Sequence, residues 1–473
     1  MKVLLTGSNG YIGRRLKQKL LENKNIDLKL FVRDKKALSL NTDKELEIIE
    51  GDTFDKDKLR LALKDVDTAY YLIHSLSNKN YKDLDKQSAQ NFIDIAKECN
   101  VKRVIYLGGL GVKNKDTSEH LLSRLETGEV LSSCNEVQTI WLRAGVIIGS
   151  GSTSFEIIRN LTEKLPVMTT PKWVNTKAQP IAVDDVLEYL LESLYIKENK
   201  NIIVDIGSQQ LTYKEMMLQT ATALGLKRLI IPLPFLSINL SSYWLNLFTP
   251  VPFTVAKALI EGLKSEVIVQ NDNAKKYFPK IEPILFIDAV RLAVKQIEEN
   301  QVISRWSDNL GKDWNKGNSQ ELADAIFLDR KELDISNISK EKIYKSFMSI
   351  GGINGWFAFD FLWEIRGFFD KMIGGVGLKR GRRDQNDLRI GDSLDFWKVV
   401  DIKENERLLL FAQMKLPGSA WLEFKIKDNK LIQSAYYYPK GVFGRLYWYI
   451  LVPIHYFVFN NMIKSIAKKA KKL

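Results

Sequence analysis

The chain has 473 residues, too many for one core and enough for two or three domains; 45% are hydrophobic and the formal net charge is +13. Two distant cysteines, Cys99 and Cys134, exclude a disulfide framework, and three histidines without metal-ligand spacing exclude a histidine-rich metal site. The basic balance fits anionic partners, yet lysines recur in every region and nothing has the pattern of a nucleic-acid module, so nucleic acid is not expected as a partner.

The N-terminus runs directly into a strand pattern without a signal-peptide profile, which gives the expectation of a cytoplasmic protein. "KVLLTG" reads as a strand, "GRRLKQKLLEN" as a helix with Leu16, Leu20 and Leu21 on one face, and "DLKLFVR" as the next strand. "LEIIEGD", "TAYYLIH" and "KRVIYLGG" follow as strands, with "SAQNFIDIAKECN" as a helix between the last two, and "VQTIWLRAGVIIG" reads as a further strand. This alternation predicts an α/β fold, a Rossmann-type doubly wound parallel sheet covered on both faces.

From 151 to 300 the pattern loosens into helices such as "DDVLEYLLESL" and Pro-rich stretches such as "IIPLPFL", which reads as a substrate-side cap on the same 1–300 domain. Residues 301–318 are polar and read as a linker. Residues 319–473 change order: a strand, two helices around "KEKIYKSFMSI" and "WFAFDFLWEIRGFFDKMI", four alternating strands and a long closing helix from about Phe443. That order predicts a C-terminal α+β domain with an antiparallel sheet. The uncharged run from Leu446 to Phe459 spans 14 residues, short of the ~20 a membrane-crossing helix needs, and reads as a buried or interfacial helix.

The sharpest motif is "TGSNGYIG", between a strand and a helix. Gly7 permits the turn, Gly10 lets the backbone approach a pyrophosphate, and Gly13 lets helix and strand pack closely. Thr6, Asn9, Tyr11 and Ile12 complete a phosphate cradle of free N–H groups at a helix N-terminus. Arg33 ends the second strand, where an arginine suits the 2′-phosphate of NADP(H); Asp34 beside it keeps NAD(H) open. Gly51, Asp52 and Thr53 after the third strand would face the adenine. Ile73 and His74 after the fourth, and Gly108 at the end of the fifth, would line the ribose and nicotinamide side.

These residues carry a resemblance. With "LRAGVIIGSG" and "QPIAVDDVLEYL", the first 300 residues resemble an atypical short-chain dehydrogenase/reductase, and are similar to members related to the complex I accessory subunit and to bacterial NAD(P)H-binding proteins. The resemblance implies a Tyr that exchanges the substrate proton, a Lys four residues on that binds the ribose, and a Ser at the end of strand five. Here His120 and Arg124 stand in the first two places and glycine in the third. His120 can still act as acid or base, and Arg124 can still hold ribose while discouraging a charge on His120. Two readings stay open: a hydride-transferring enzyme with an altered proton donor, acting on an apolar carbonyl or quinone-like substrate, or a non-catalytic NAD(P)H sensor or assembly factor.

The C-terminal region resembles a lipid-transfer-like helix-grip fold in element order, which implies an apolar cavity for a lipid- or quinone-like ligand, lined by the two aromatic-rich segments. A lipid-binding protein is the third reading. The basic runs "KRGRRD" and "IKSIAKKAKKL" read first as solvated faces, with peripheral contact to anionic membrane as the rival.

Overall fold

A computed structural model of the chain describes residues 1–33, 35, 38, 46–74, 81–114, 117–232, 262, 265–298, 327–373, 375, 377, 381–384, 387–439 and 441–473. The chain divides into two compact units, Met1–Trp306 and Ser307–Leu473. The expected linker 301–318, Asp34, Ser75 and the Pro-rich stretch from 233 lie outside the described residues.

The first unit is built on a seven-stranded, wholly parallel sheet. Its strands are β1 (Lys2–Thr6), β2 (Asp27–Val32), β3 (Glu47–Glu50), β4 (Thr68–Tyr71), β5 (Arg103–Gly109), β6 (Gln138–Ala144) and β7 (Ile202–Ile206), in the order β7-β6-β5-β4-β1-β2-β3. The strands are apolar on both faces because both faces are covered. Val3, Leu5, Leu30 and Leu142 pack with Leu16 of helix α1 (Tyr11–Glu22) on one side. Leu4, Phe31, Tyr106 and Trp141 pack on the other with Leu59, Phe92 and Leu125, from helices α2 (Lys56–Leu63), α3 (Tyr81–Glu98) and α4 (Glu119–Leu131). Period-two alternation along each strand sorts the residues between the two cores. The strand order reverses between β1 and β4, so a crevice outside their C-terminal ends is the natural ligand site. Three further helices, α5 (Thr153–Lys164), α6 (Val183–Glu192) and α7 (Tyr213–Ala223), precede α8 (Phe286–Glu298); Phe155, Met216, Phe286 and Val290 from three of them form a separate small core.

The second unit is a six-stranded antiparallel sheet. In sequence its strands are β8 (Phe327–Asp334), β9 (Ser393–Leu394), β10 (Trp397–Lys403), β11 (Arg407–Ala412), β12 (Gly418–Lys427) and β13 (Lys430–Pro439), ordered β8-β13-β12-β11-β10-β9. Helix α9 (Lys340–Met348) and the C-terminal half of the long helix α11 (Gly441–Ala470) close over one face. Phe347, Phe396, Phe424, Met462 and Ile466 fill the space between them.

Two expectations for this unit are corrected. The aromatic segments do not serve as an interior lining: Trp356 and Trp363 are core, but Phe361, Phe368 and Phe369 of helix α10 (Asp360–Met372) and Tyr449, Tyr456 and Phe457 of α11 are exposed. Nor is "KRGRRD" wholly a solvated face, because Arg382 and Arg383 are buried. Arg383 pairs with Asp392 at 3.1 Å and Asp387 at 2.7 Å, while Arg382 donates to the Ile350 carbonyl at 2.8 Å. Opposite charges from the following loop and the carbonyl of Ile350 make that burial tolerable.

Candidate functional site

The glycine turn is formed as its spacing requires. Gly7 has φ +67°, and a Cβ there would stand 2.4 Å from the Leu72 carbonyl oxygen. Gly10 N donates to Gly7 O at 2.8 Å, closing the turn, and Gly10 then caps α1 with no side-chain bond. A Cβ on Gly13 would meet Gly7 O at 2.1 Å, so only glycine lets the helix start this close to β1. The first turn of α1 carries no acidic residue, and its free N–H groups and dipole are left for an anion. The Ser8 hydroxyl is fully buried beside this turn without a hydrogen-bond partner among the described residues. An orphaned donor next to an uncapped helix mouth fits a pyrophosphate, which would be held by the free main-chain amides of the first turn of α1, residues 11–13.

The neighbouring residues divide into those that can meet a ligand and those that hold the loops. Arg33 and Asp52 lie at the rim and pair at 2.9 Å, which brings together the group expected at the 2′-phosphate and the one expected at the adenine. Thr6 is structural: its hydroxyl donates to the Tyr70 carbonyl at 2.8 Å and accepts from Leu72 N at 3.2 Å, fixing β1 to β4. The Thr53 hydroxyl is buried against Ser88 Oγ at 2.7 Å, and its carbonyl accepts from Asn91 at 3.1 Å, so it anchors the β3 loop to α3. Tyr11 lies under the Arg15 guanidinium and donates to the Ser150 carbonyl at 3.2 Å; burial pushes its hydroxyl up to about 12. The Asn9 carbonyl accepts from Arg14 at 2.9 Å, and Ile12 and Ile73 pack against the two main cores. Gly51 packs on Lys58, and Gly108 faces the Trp141 indole.

The chemically distinctive feature is a chain of three side chains. His74 follows β4. His120 lies in the first turn of α4, placed by Ser118, whose hydroxyl accepts from Leu121 N at 3.3 Å as the helix cap. Their rings are in contact, with His74 Nε2 and His120 Nδ1 3.2 Å apart. On its other side, His74 Nδ1 is 2.7 Å from the buried carboxylate of Asp85 on α3, which also accepts from Ser123 Oγ at 3.3 Å. Burial first, then His74 and Arg124, hold His120 well below the ordinary histidine range, so it is a neutral ring near pH 7. Arg124 lies one turn on from His120. Its guanidinium donates to the Leu107 carbonyl at 2.6 Å, while Nε is buried without a partner among the described residues.

Asp85 has no place in the sequence reading. It is one of several acidic residues on an amphipathic helix, and only the fold shows that it faces His74. A signal was available: two of only three histidines follow β4 and open α4, the helix after the neighbouring strand β5.

Two sequence families match the chain. One described as NAD(P)H-binding matches residues 7–138, and one described as a protein of unknown function, DUF2867, matches residues 322–462. Residues 7–138 are an NAD(P)H-binding domain. Among solved structures, a nucleoside-diphosphate-sugar epimerase from Staphylococcus aureus is 14% identical, with TM-score 0.51, over 62% of this chain and all of that one. A triphenylmethane reductase from Citrobacter sp. complexed with NADP(H) is 20% identical, with TM-score 0.50, over 62% of this chain and all of that one. At these identities the likeness is one of fold. It agrees with the Rossmann-like parallel sheet and flanking helices of the N-terminal region.

Proposed function

We propose that the chain is an NAD(P)H-dependent oxidoreductase of the atypical short-chain type, reducing an apolar carbonyl or quinone-like substrate. The observation that carries this reading is the Asp85–His74–His120 chain beside the nucleotide turn. A binding-only domain has no need of a buried carboxylate aligned on two histidines.

Bound reduced nicotinamide would supply a hydride, and the protein must supply a proton. In the loaded arrangement His74 carries protons on both ring nitrogens, Nδ1–H toward Asp85 and Nε2–H toward His120 Nδ1; His120 carries its own on Nε2. When His120 gives that proton to the substrate oxygen, the Nε2 proton of His74 passes to His120 Nδ1. Both rings end neutral, and the positive charge leaves the ring that Asp85 holds. His120 is thus the donor and His74 the reservoir, with Asp85 as its counter-ion. This division replaces the Tyr and Lys of the resembling family. Arg124, bonded to β5, positions the edge of the site and keeps charge off His120.

Arg33 at the rim supports a preference for the 2′-phosphate of NADPH. Stopped-flow oxidation of bound NADPH by a panel of quinones and aldehydes tests the activity. Turnover that is lost in His120→Ala supports an enzyme, whereas tight nucleotide binding with no oxidation by any acceptor would favour the sensor.

A further inference from the structure

Helix α10 buries Trp363 and Gly367 together with two charged residues, Asp370 and Lys371, while Asp360 and Glu364 stay exposed; the Asp370 carboxylate accepts from Gly377 N at 2.8 Å and Lys415 N at 2.7 Å. Its apolar residues Phe361, Ile365, Phe368 and Phe369 face outward, each 49–61% exposed. The N-terminal half of α11 repeats the pattern. Trp448 and His455 pack inward, whereas Tyr449, Ile450, Tyr456 and Phe457 are 57–63% exposed. Arg366 of α10 donates to the Tyr447 hydroxyl of α11 at 2.7 Å, so the two helices meet at this point. Isolated exposed apolar residues are ordinary, but clustered exposed aromatics on two helices that meet mark an interaction surface.

We propose that this face docks the C-terminal unit in the interfacial layer of an anionic lipid bilayer. Three features choose lipid over a protein partner. The exposed stretch of α11 carries no charged side chain from Leu446 to Phe459, and is bounded by exposed Arg445 before it and exposed Lys464 and Lys468 after it, a charge pattern complementary to anionic headgroups. The aromatic residues include tyrosines, which favour the headgroup boundary. The apolar stretch is about 21 Å long at 1.5 Å per residue, too short to cross a ~30 Å hydrocarbon core. The rest of α11 is committed to the protein core through Met462, Ile463 and Ile466. The helix therefore lies in the interface rather than spanning it, although Gly444–Ala470 is long and apolar enough to cross by composition. The lysine tail is an electrostatic adjunct and not the anchor.

The test is sedimentation of the full chain with vesicles of equal parts phosphatidylcholine and phosphatidylglycerol. Wild type should bind and stay bound at about 1 M salt, where screening shortens to about 3 Å and a purely electrostatic contact is released. F368D/F369D, at exposed positions, should bind at least about tenfold more weakly with an unchanged melting temperature. Lys468→Glu with Lys471→Glu should weaken binding only at low salt. A nitrobenzoxadiazole label at Phe368→Cys, with Cys99 and Cys134 replaced by serine so that it is the single label, reports insertion independently, by a blue shift on vesicle addition. The proposal is overturned if wild type does not sediment, if all binding vanishes at high salt, or if F368D/F369D binds as wild type does. It also fails if that variant instead converts a stable dimer into a monomer, which would mean that a second copy covers the face.

Discussion

His120 stands where the family that the chain resembles has a tyrosine, and it is in contact with His74. A lone histidine buried at a helix N-terminus is held neutral and has no proton to spare near pH 7, since burial and the helix dipole both oppose its charge. In the proposed mechanism contact with His74 changes that, because the ring backed by Asp85 holds the proton that His120 passes on. Asp85→Asn should therefore lower single-turnover NADPH oxidation about 10²-fold or more while leaving NADPH affinity unchanged. The double variant Asp85→Asn/His120→Ala should be no slower than His120→Ala alone, since the groups act as one unit. Equal rates for wild type and Asp85→Asn would remove the relay. The motif itself was legible in the sequence, because glycine at 7 and 13 has a single steric meaning: a left-handed turn and a helix pressed on it. The relay was not, because an acidic residue on an amphipathic helix looks the same whether it faces water or a histidine.

At the level of elements, the parallel sheet follows from runs such as "KVLL" and "TAYY", which are apolar on both faces and have no stable place at a surface. The antiparallel sheet of the C-terminal unit likewise follows from alternating runs between turns. Sequence failed where polarity and burial part company. The "KRGRRD" loop reads as solvent-exposed by composition, yet Arg382 and Arg383 are buried because Asp387 and Asp392 arrive from the same loop. Helix α10 is the mirror case, with its phenylalanines out and Asp370 in. Breaking a buried pair leaves its partner's charge stranded. Asp392→Ala should cost the C-terminal unit about 3 kcal/mol or more in a urea melt, against less than about 0.5 kcal/mol for exposed Lys468→Ala. Equal, small losses would show that the Arg383 pairing contributes little.

For the molecule as a whole, each unit contains one histidine held neutral by burial. His120 in the first lies well below the ordinary 6.5. His455 in the second is lowered to about 3 by burial and then by Arg366 and Lys331. The unfolded chain takes up protons near pH 6.5 that the folded chain refuses. Stability is therefore full above about 6.5 and falls as pH drops below it, by up to about 1.4 kcal/mol per pH unit for each histidine. Calorimetry should show both units losing melting temperature between pH 6.5 and 4.5. His455→Phe should flatten the decline of the C-terminal unit alone, and an unchanged slope would contradict the assignment. Whether a nucleotide's pyrophosphate sits in the Gly7–Gly13 turn is measured directly by equilibrium fluorescence titration of the full chain with NADPH and NADH. The expected result is micromolar NADPH binding, weakened about tenfold or more in Arg33→Glu with NADH affinity largely kept; no saturable binding of either nucleotide would contradict it.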